Sequence, residues 1–415
     1  MGVSRPPNIV WIVTTQWRAQ ACGFAGDPNV RTPYLDTLAA EASVFTQAVT
    51  PHPFGPFARA ALLTGVPSPE NGVGDYFDPL PADARTIAHT MRNRGYATAF
   101  FGKWHLGKRD RSAPLVGEAH ARTVVPLGRR GGFEFWEGFE SGFQLNDPWL
   151  HGTRLPAPVQ FPGYQSDVVA ARAAAWMRDQ SAPWFCIISL ETPHPPYVAP
   201  SAAFAPRDPA EIELSLNVPR DGLVEQRARR ELAGYYAHIE ATDQALGRAI
   251  FCDPALREAA LVVTSVHGDM HGAHGLFRKG WPHEESVRVP LVVRLPKGAR
   301  DVPVPARNGG LVSLLDLSRW TADWADGKAD GAGSASAAEG QLISMPSVVA
   351  LPDQCDRVWR GIRTAARKLV LNADGSPWLF FDLERDPGEM VNLVGEASRT
   401  AEIADWQQRI LHGSR

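Results

Sequence analysis

Three histidines and an aspartate crowd into the run HGDMHGAHG: His267, Asp269, His271 and His274. Imidazole nitrogens are the common ligands of transition metals, and the H-x3-H-x2-H spacing is of the kind such an ion exploits. The glycines, however, place the run in a loop after the apolar stretch ALVVTSV (260–266), where helical spacing arguments do not apply. The plainer expectation for His271 is a titratable group near a pocket, with no metal held here. The four cysteines, Cys22, Cys186, Cys252 and Cys355, are far apart and form no C-x-x-C pair, so they read as reduced thiols.

The elements that must position such groups are legible from periodicity. NIVWIVT (8–14), SVFTQAV (43–49), ALVVTSV (260–266) and VPLVVRLP (289–296) are apolar, β-branched runs of the kind buried in a parallel sheet. TPYLDTLAAEA (32–42), FARAALLTG (57–65), 168–180, 227–251 and 311–325 carry helical spacing, and 85–102 reads as helix, Gly stop and strand. Alternating strands and helices predict an α/β fold, a mostly parallel sheet sandwiched by helices, with its site at the carboxyl ends of the strands. The Gly-, Pro- and Arg-rich segment 109–163 reads as a long excursion bordering that site. Residues 1–326 are expected to form the α/β domain. A flexible Gly/Ala/Ser connection spans 327–341, and 342–415 forms a small antiparallel-sheet subdomain closed by a helix.

PNIVWIV, TPYLDTLAAEA, ARAALLTG, GKWHLG, HPPY, HGDMHGAHGLFRKG, EESVRVPLVVRLP and DLERDPGEMVNL occur in one order along nearly the whole chain. In that order they resemble the type I sulfatases and the related phosphonate monoester hydrolases, of alkaline-phosphatase-like fold. The resemblance implies a Cys or Ser converted to formylglycine as nucleophile, a divalent cation, usually calcium, and a ring of Lys, His and Arg around the ester. Counted back from the LLTG of residues 62–65, Gly55 takes the nucleophile's place, with Phe54 there if one residue is inserted. Neither can become formylglycine. Where the family carries its cation-binding carboxylates this chain has Thr15, Gln16 and Val266. Calcium and magnesium want several anionic oxygens, so no cofactor and no metal are expected.

The cationic ring is kept. Arg59, Lys103, His105, His194, His267 and Lys279 stand where the family's cationic residues stand. Lys103, His105, His194 and His267 are the expected catalytic groups. Arg59, Lys279, Gln16 and His271 are the expected substrate-binding groups. The expected function is a repurposed enzyme acting on an anionic small molecule (sulfate, phosphate or carboxylate) by Lys/His acid–base and electrostatic catalysis. The alternatives are a non-catalytic binding module and an ester hydrolase with an unrecognised nucleophile or metal site. With 42 basic and 45 acidic residues and a net charge of −3, a nucleic-acid or lipid-binding sheath is not expected. No apolar run approaches a membrane span, and a cytoplasmic protein is expected.

Overall fold

The computed structural model describes residues 6–181, 183–220, 222–296, 307–328 and 340–412. Ten strands form the main sheet: β1 (Ile9–Thr14), β2 (Ser43–Val49), β3 (Ala97–Lys103), β4 (Phe135–Phe139), β5 (Trp149–Gly152), β6 (Val159–Gln160), β7 (Trp184–Ser189), β8 (Ala260–Ser265), β9 (Leu291–Arg294) and β10 (Arg307–Ser313). Their spatial order is β10-β2-β9-β8-β1-β7-β3-β4-β5-β6. The centre is parallel, β8 with β1, β1 with β7, β7 with β3 and β3 with β4. Strand β9 runs antiparallel to both of its neighbours.

The helices are α1 (Pro33–Ala40), α2 (Gly55–Thr64), α3 (Ile87–Arg92), α4 (Glu118–Ala121), α5 (Gln165–Arg178), α6 (Leu223–Leu246), α7 (Glu284–Val287), α8 (Asp316–Ala325) and α9 (Thr400–His412). Their apolar faces cover both sides of the sheet. Ile9, Trp11 and Val13 pack into one core, and Val10 and Ile12 into the other. That two-sided burial is why NIVWIVT carries no polar alternation. A second sheet, β11 (Gln341–Met345), β12 (Trp359–Arg363), β13 (Arg367–Asn372) and β14 (Pro377–Asp382), is antiparallel throughout. Its Ile343, Met345 and Trp359 join the same core as Ile9 and Trp11.

The structure differs from the sequence reading in three places. The expected helix 311–325 starts only at Asp316, because Leu311–Ser313 continue β10 alongside β2. The segment 109–163 is not a plain excursion, since β4 extends the parallel sheet and β5 and β6 follow it. Strand β7, between β1 and β3, was not foreseen at all. Most of the expected connection 327–341 lies outside the described residues. Among the described residues no helix is long and apolar enough to cross a membrane.

Candidate functional site

The carboxyl ends of β8, β1, β7 and β3 lie side by side and deliver His267, Thr15 with Gln16, Glu191 and Lys103 to one place. Close approach is made possible by Gly102. Its φ of 95° is one that L side chains avoid, and a Cβ there would collide with the Ser189 carbonyl of β7. The amino end of α2 points into the same region. Gly55, its first residue, borders a cavity of about 380 Å³, and a Cβ at that position would lie 3.1 Å from His105 Nδ1. Gln16 and His105 hold φ of 67° and 57°, uncommon values for such side chains and of the kind that clusters at functional sites.

Lys103 is wholly buried, and its Nζ donates to Glu191 Oε1 at 2.6 Å, also wholly buried. Burial pulls its pKa down to about 8, with Glu191 opposing the fall. Lys279 forms no ion pair among the described residues. Its Nζ donates to Gln16 Oε1 at 2.5 Å and lies 2.8 Å from His194 Nε2. Burial drives the Lys279 ammonium well below the usual lysine range. Asp269 resists that shift, and Lys103 and Arg278 add to it.

His194 Nδ1 lies 2.8 Å from the Pro195 carbonyl, so that nitrogen carries the proton and Nε2 accepts from Lys279. His267 is held the same way by the Gly268 carbonyl at 2.8 Å, and its Nε2 has no partner. Neither ring nitrogen of His105 has one. Burial first, then the neighbouring Lys and Arg charges, keeps all three imidazoles well below their ordinary pKa of 6.5, and therefore neutral.

Lys103, His105, His194, His267 and Lys279 all border the cavity. Arg59, Gln16 and His271 do not. Arg59 lies behind the cavity wall, donating to Thr15 Oγ1 at 2.7 Å, Ser189 Oγ at 2.5 Å and the Lys103 carbonyl at 3.3 Å. Gln16 links Lys279 to Asp269. His271 is buried among Tyr197 and Tyr235, and His274 stacks on His283, so the three histidines of the loop enter three different surroundings. His274, Glu285 and Glu389 do lie within ligating distance of one another, but Lys368 Nζ already bonds Glu389 at 2.7 Å and Glu284 at 2.7 Å.

The acids were the residues missed. Glu191 and Glu140 are wholly buried, and Glu140 lies 3.6 Å from the Arg109 Nε. The signal for Glu191 was its place just beyond the apolar run WFCIIS, at the end of the unrecognised β7.

The residues present do not fit a divalent cation or formylglycine. Gly55 offers no side chain to oxidise. Thr15 Oγ1 donates to the Leu190 carbonyl at 2.8 Å and accepts from Arg59. Asp269 receives the Gln16 amide and, at 3.0 Å, the His271 N–H.

The architecture is an α/β protein with a mostly parallel sheet, and Lys103 and the residues just beyond β8, β1 and β7 gather at one end of it. The sulfatase family model matches residues 7–327. The chain belongs to the sulfatase family. It is 33% identical to an ulvan-active sulfatase of Formosa agariphila, over 94% of this chain and 77% of that one. It is 25% identical to an arylsulfatase of Clostridium perfringens, over 98% and 93%. The solved YidJ structure of Bacteroides fragilis superposes with a TM-score of 0.85 at 22% identity, covering 99% of this chain and 96% of that one. The phosphonate monoester hydrolase of Agrobacterium radiobacter superposes with a TM-score of 0.76 at 20% identity, covering 98% and 95%. The fold is that of the alkaline-phosphatase-like sulfatases and phosphonate monoester hydrolases.

Proposed function

We propose that this sulfatase-family chain is an enzyme acting on a small molecule with one anionic group, without formylglycine or a divalent metal. The observation that carries the reading is the set of orphaned imidazole nitrogens. His105 Nδ1 and Nε2 and His267 Nε2 are buried without partners on residues that border the cavity shared with Lys103 and Lys279. A buried polar atom left unpaired costs about 1–3 kcal/mol, so a ligand that satisfies these atoms is favoured. Lys103, Arg278 and Lys279 border the cavity, with Asp353 the acid among its lining residues, and cationic groups of that kind suit an anionic group. The named activities of the relatives, on ulvan and on aryl sulfates, make a sulfate ester the first class to try.

In this reading Lys103 and Lys279 neutralise the anion and stabilise charge as it develops. His267 Nε2, with its lone pair free because Nδ1 holds the proton, takes a proton from the attacking water or hydroxyl. His105 hydrogen-bonds the ligand, and the Lys103 ammonium, with its pKa drawn down to about 8, supplies the proton the leaving group takes. His194, which accepts from Lys279, orients that ammonium. The Lys103–Glu191 pair favours a second reading, a non-catalytic anion-binding module, because that lysine is already satisfied.

Crystals soaked in sulfate and in phosphate test the first claim. An anion within hydrogen-bonding reach of Lys103, Lys279 and His105 is expected, and an empty cavity at saturating anion contradicts it. Turnover of 4-nitrophenyl sulfate, phosphate and carboxylate esters in chelator separates the two readings. Bound anion with no turnover of any ester supports the binding module.

A further inference from the structure

Gln16 stands two residues beyond the end of β1, at a position where the family resemblance expects a cation-binding carboxylate. Its amide has opposite charges at its two ends. The oxygen accepts from the Lys279 ammonium at 2.5 Å, and the nitrogen donates to Asp269. An amide cannot reverse that arrangement without placing its N–H against the ammonium and its oxygen against the carboxylate. Lys279 is fixed from a second side by His194 Nε2 at 2.8 Å. The remaining Asp269 oxygen accepts the His271 N–H at 3.0 Å, and the His271 ring fills the space beyond, 4.3 Å from the Tyr235 ring. Thr15, the neighbouring oxygen, is committed to Leu190 and to Arg59.

We propose that the Lys279 Nζ takes the place of a metal cation in this site, clamped by Gln16 and His194 and tied through Gln16 to Asp269, so that the pocket excludes a divalent ion. A calcium or magnesium ion would have to displace the ammonium from Gln16 and the amide from Asp269. It would then sit among Lys103, Arg59 and Lys279 with Asp269 as the nearby carboxylate not already paired with a Lys or Arg, since Glu191 holds Lys103 and Glu140 lies against Arg109, against the several oxygen ligands such ions require. The proposal rests on the anion-pocket reading, because the same ammonium borders the cavity. It adds that Gln16 and Asp269 are positioning residues for Lys279.

The test uses the full chain, dialysed against chelator, titrated with calcium, magnesium and manganese chlorides while the melting temperature is recorded. The wild type is expected to show an unchanged melting temperature. The double variant Gln16→Asp/Lys279→Met, with a second carboxylate beside Asp269 and the ammonium removed, is expected to melt higher as calcium is raised, as linkage to a new site requires. A calcium-dependent rise in the wild type that is lost in Asp269→Asn overturns the proposal. So does a folded double variant no more responsive than the wild type. Should the double variant not fold, the wild type and Asp269→Asn decide the matter. Phosphate binding is measured separately. A wild-type calcium response alongside phosphate binding overturns the exclusion of a divalent ion and leaves the anion pocket standing.

Discussion

At the scale of single residues, Lys103 and Glu191 set the terms. Each is wholly buried, and each is the other's ion-pair partner at 2.6 Å. Removing one side of such a pair leaves a bare buried charge, a loss of about 3–5 kcal/mol. Lys103→Ala is therefore expected to lower stability by about that amount in denaturant unfolding. Lys103→Met/Glu191→Gln is expected to recover most of the stability while still failing to bind anion. If Lys103→Ala unfolds like the wild type, the pair does not carry the charge balance assigned to it.

The titrations give two further expectations. His105, His194 and His267 are neutral in the fold and ordinary imidazoles when unfolded, so below 6.5 the unfolded chain binds more protons. Stability is then expected to fall as pH drops below that value, read as a declining melting temperature. Lys103 loses its proton near pH 8, so anion affinity is expected to weaken as pH rises through that value. Flat affinity from pH 7 to pH 10 would remove Lys103 from the binding role.

At the scale of elements, the site exists because β3 and β7 can approach closely at Gly102. Its positive φ and the nearness of the Ser189 carbonyl both forbid a side chain. Gly102→Ala is expected to cost at least about 2 kcal/mol through backbone strain and overpacking together, measured by denaturant midpoint. Periodicity found β1, β2 and β8 because their apolar runs are long and bounded by turn signals. It found α2 through its Gly65 stop, which holds φ 70°. Strand β7 carries an equally apolar run, WFCIIS, of the same six residues as β1 and β8 in length, and only its pairing with β1 and β3 places it at the centre of the sheet. The β10–α8 boundary failed for a related reason. LVSLLDLSRW satisfies helical spacing throughout, and only pairing with β2 decides that its first residues extend.

The cationic residues were legible through the motif resemblance. Their partners were not, because Glu191 and Glu140 meet Lys103 and Arg109 across separate segments of chain, and Asp269 reaches Lys279 only through the Gln16 amide. His271 shows the limit of spacing most clearly. It shares a loop with His267, yet a positive φ of 44° turns the backbone and the ring is buried among tyrosines.

At the scale of the whole molecule, the net charge of −3 repels anions weakly, so anion capture depends on the local field at the ends of β8, β1, β7 and β3. The second sheet belongs to that construction. Its Ile343, Met345 and Trp359 complete the core, Trp359 Nε1 donates to the Gly280 carbonyl at 2.7 Å next to Lys279, and Leu351–Gln354 border the cavity. Calorimetric titration of the chelator-dialysed full chain with phosphate and with sulfate measures whether this assembled site binds an anion with its own lysines and histidines. One anion per chain is expected, with an affinity unchanged by added calcium and lost in Lys103→Met/Glu191→Gln. Binding that appears only when calcium is present, or that survives in that double variant, would overturn anion capture by those side chains.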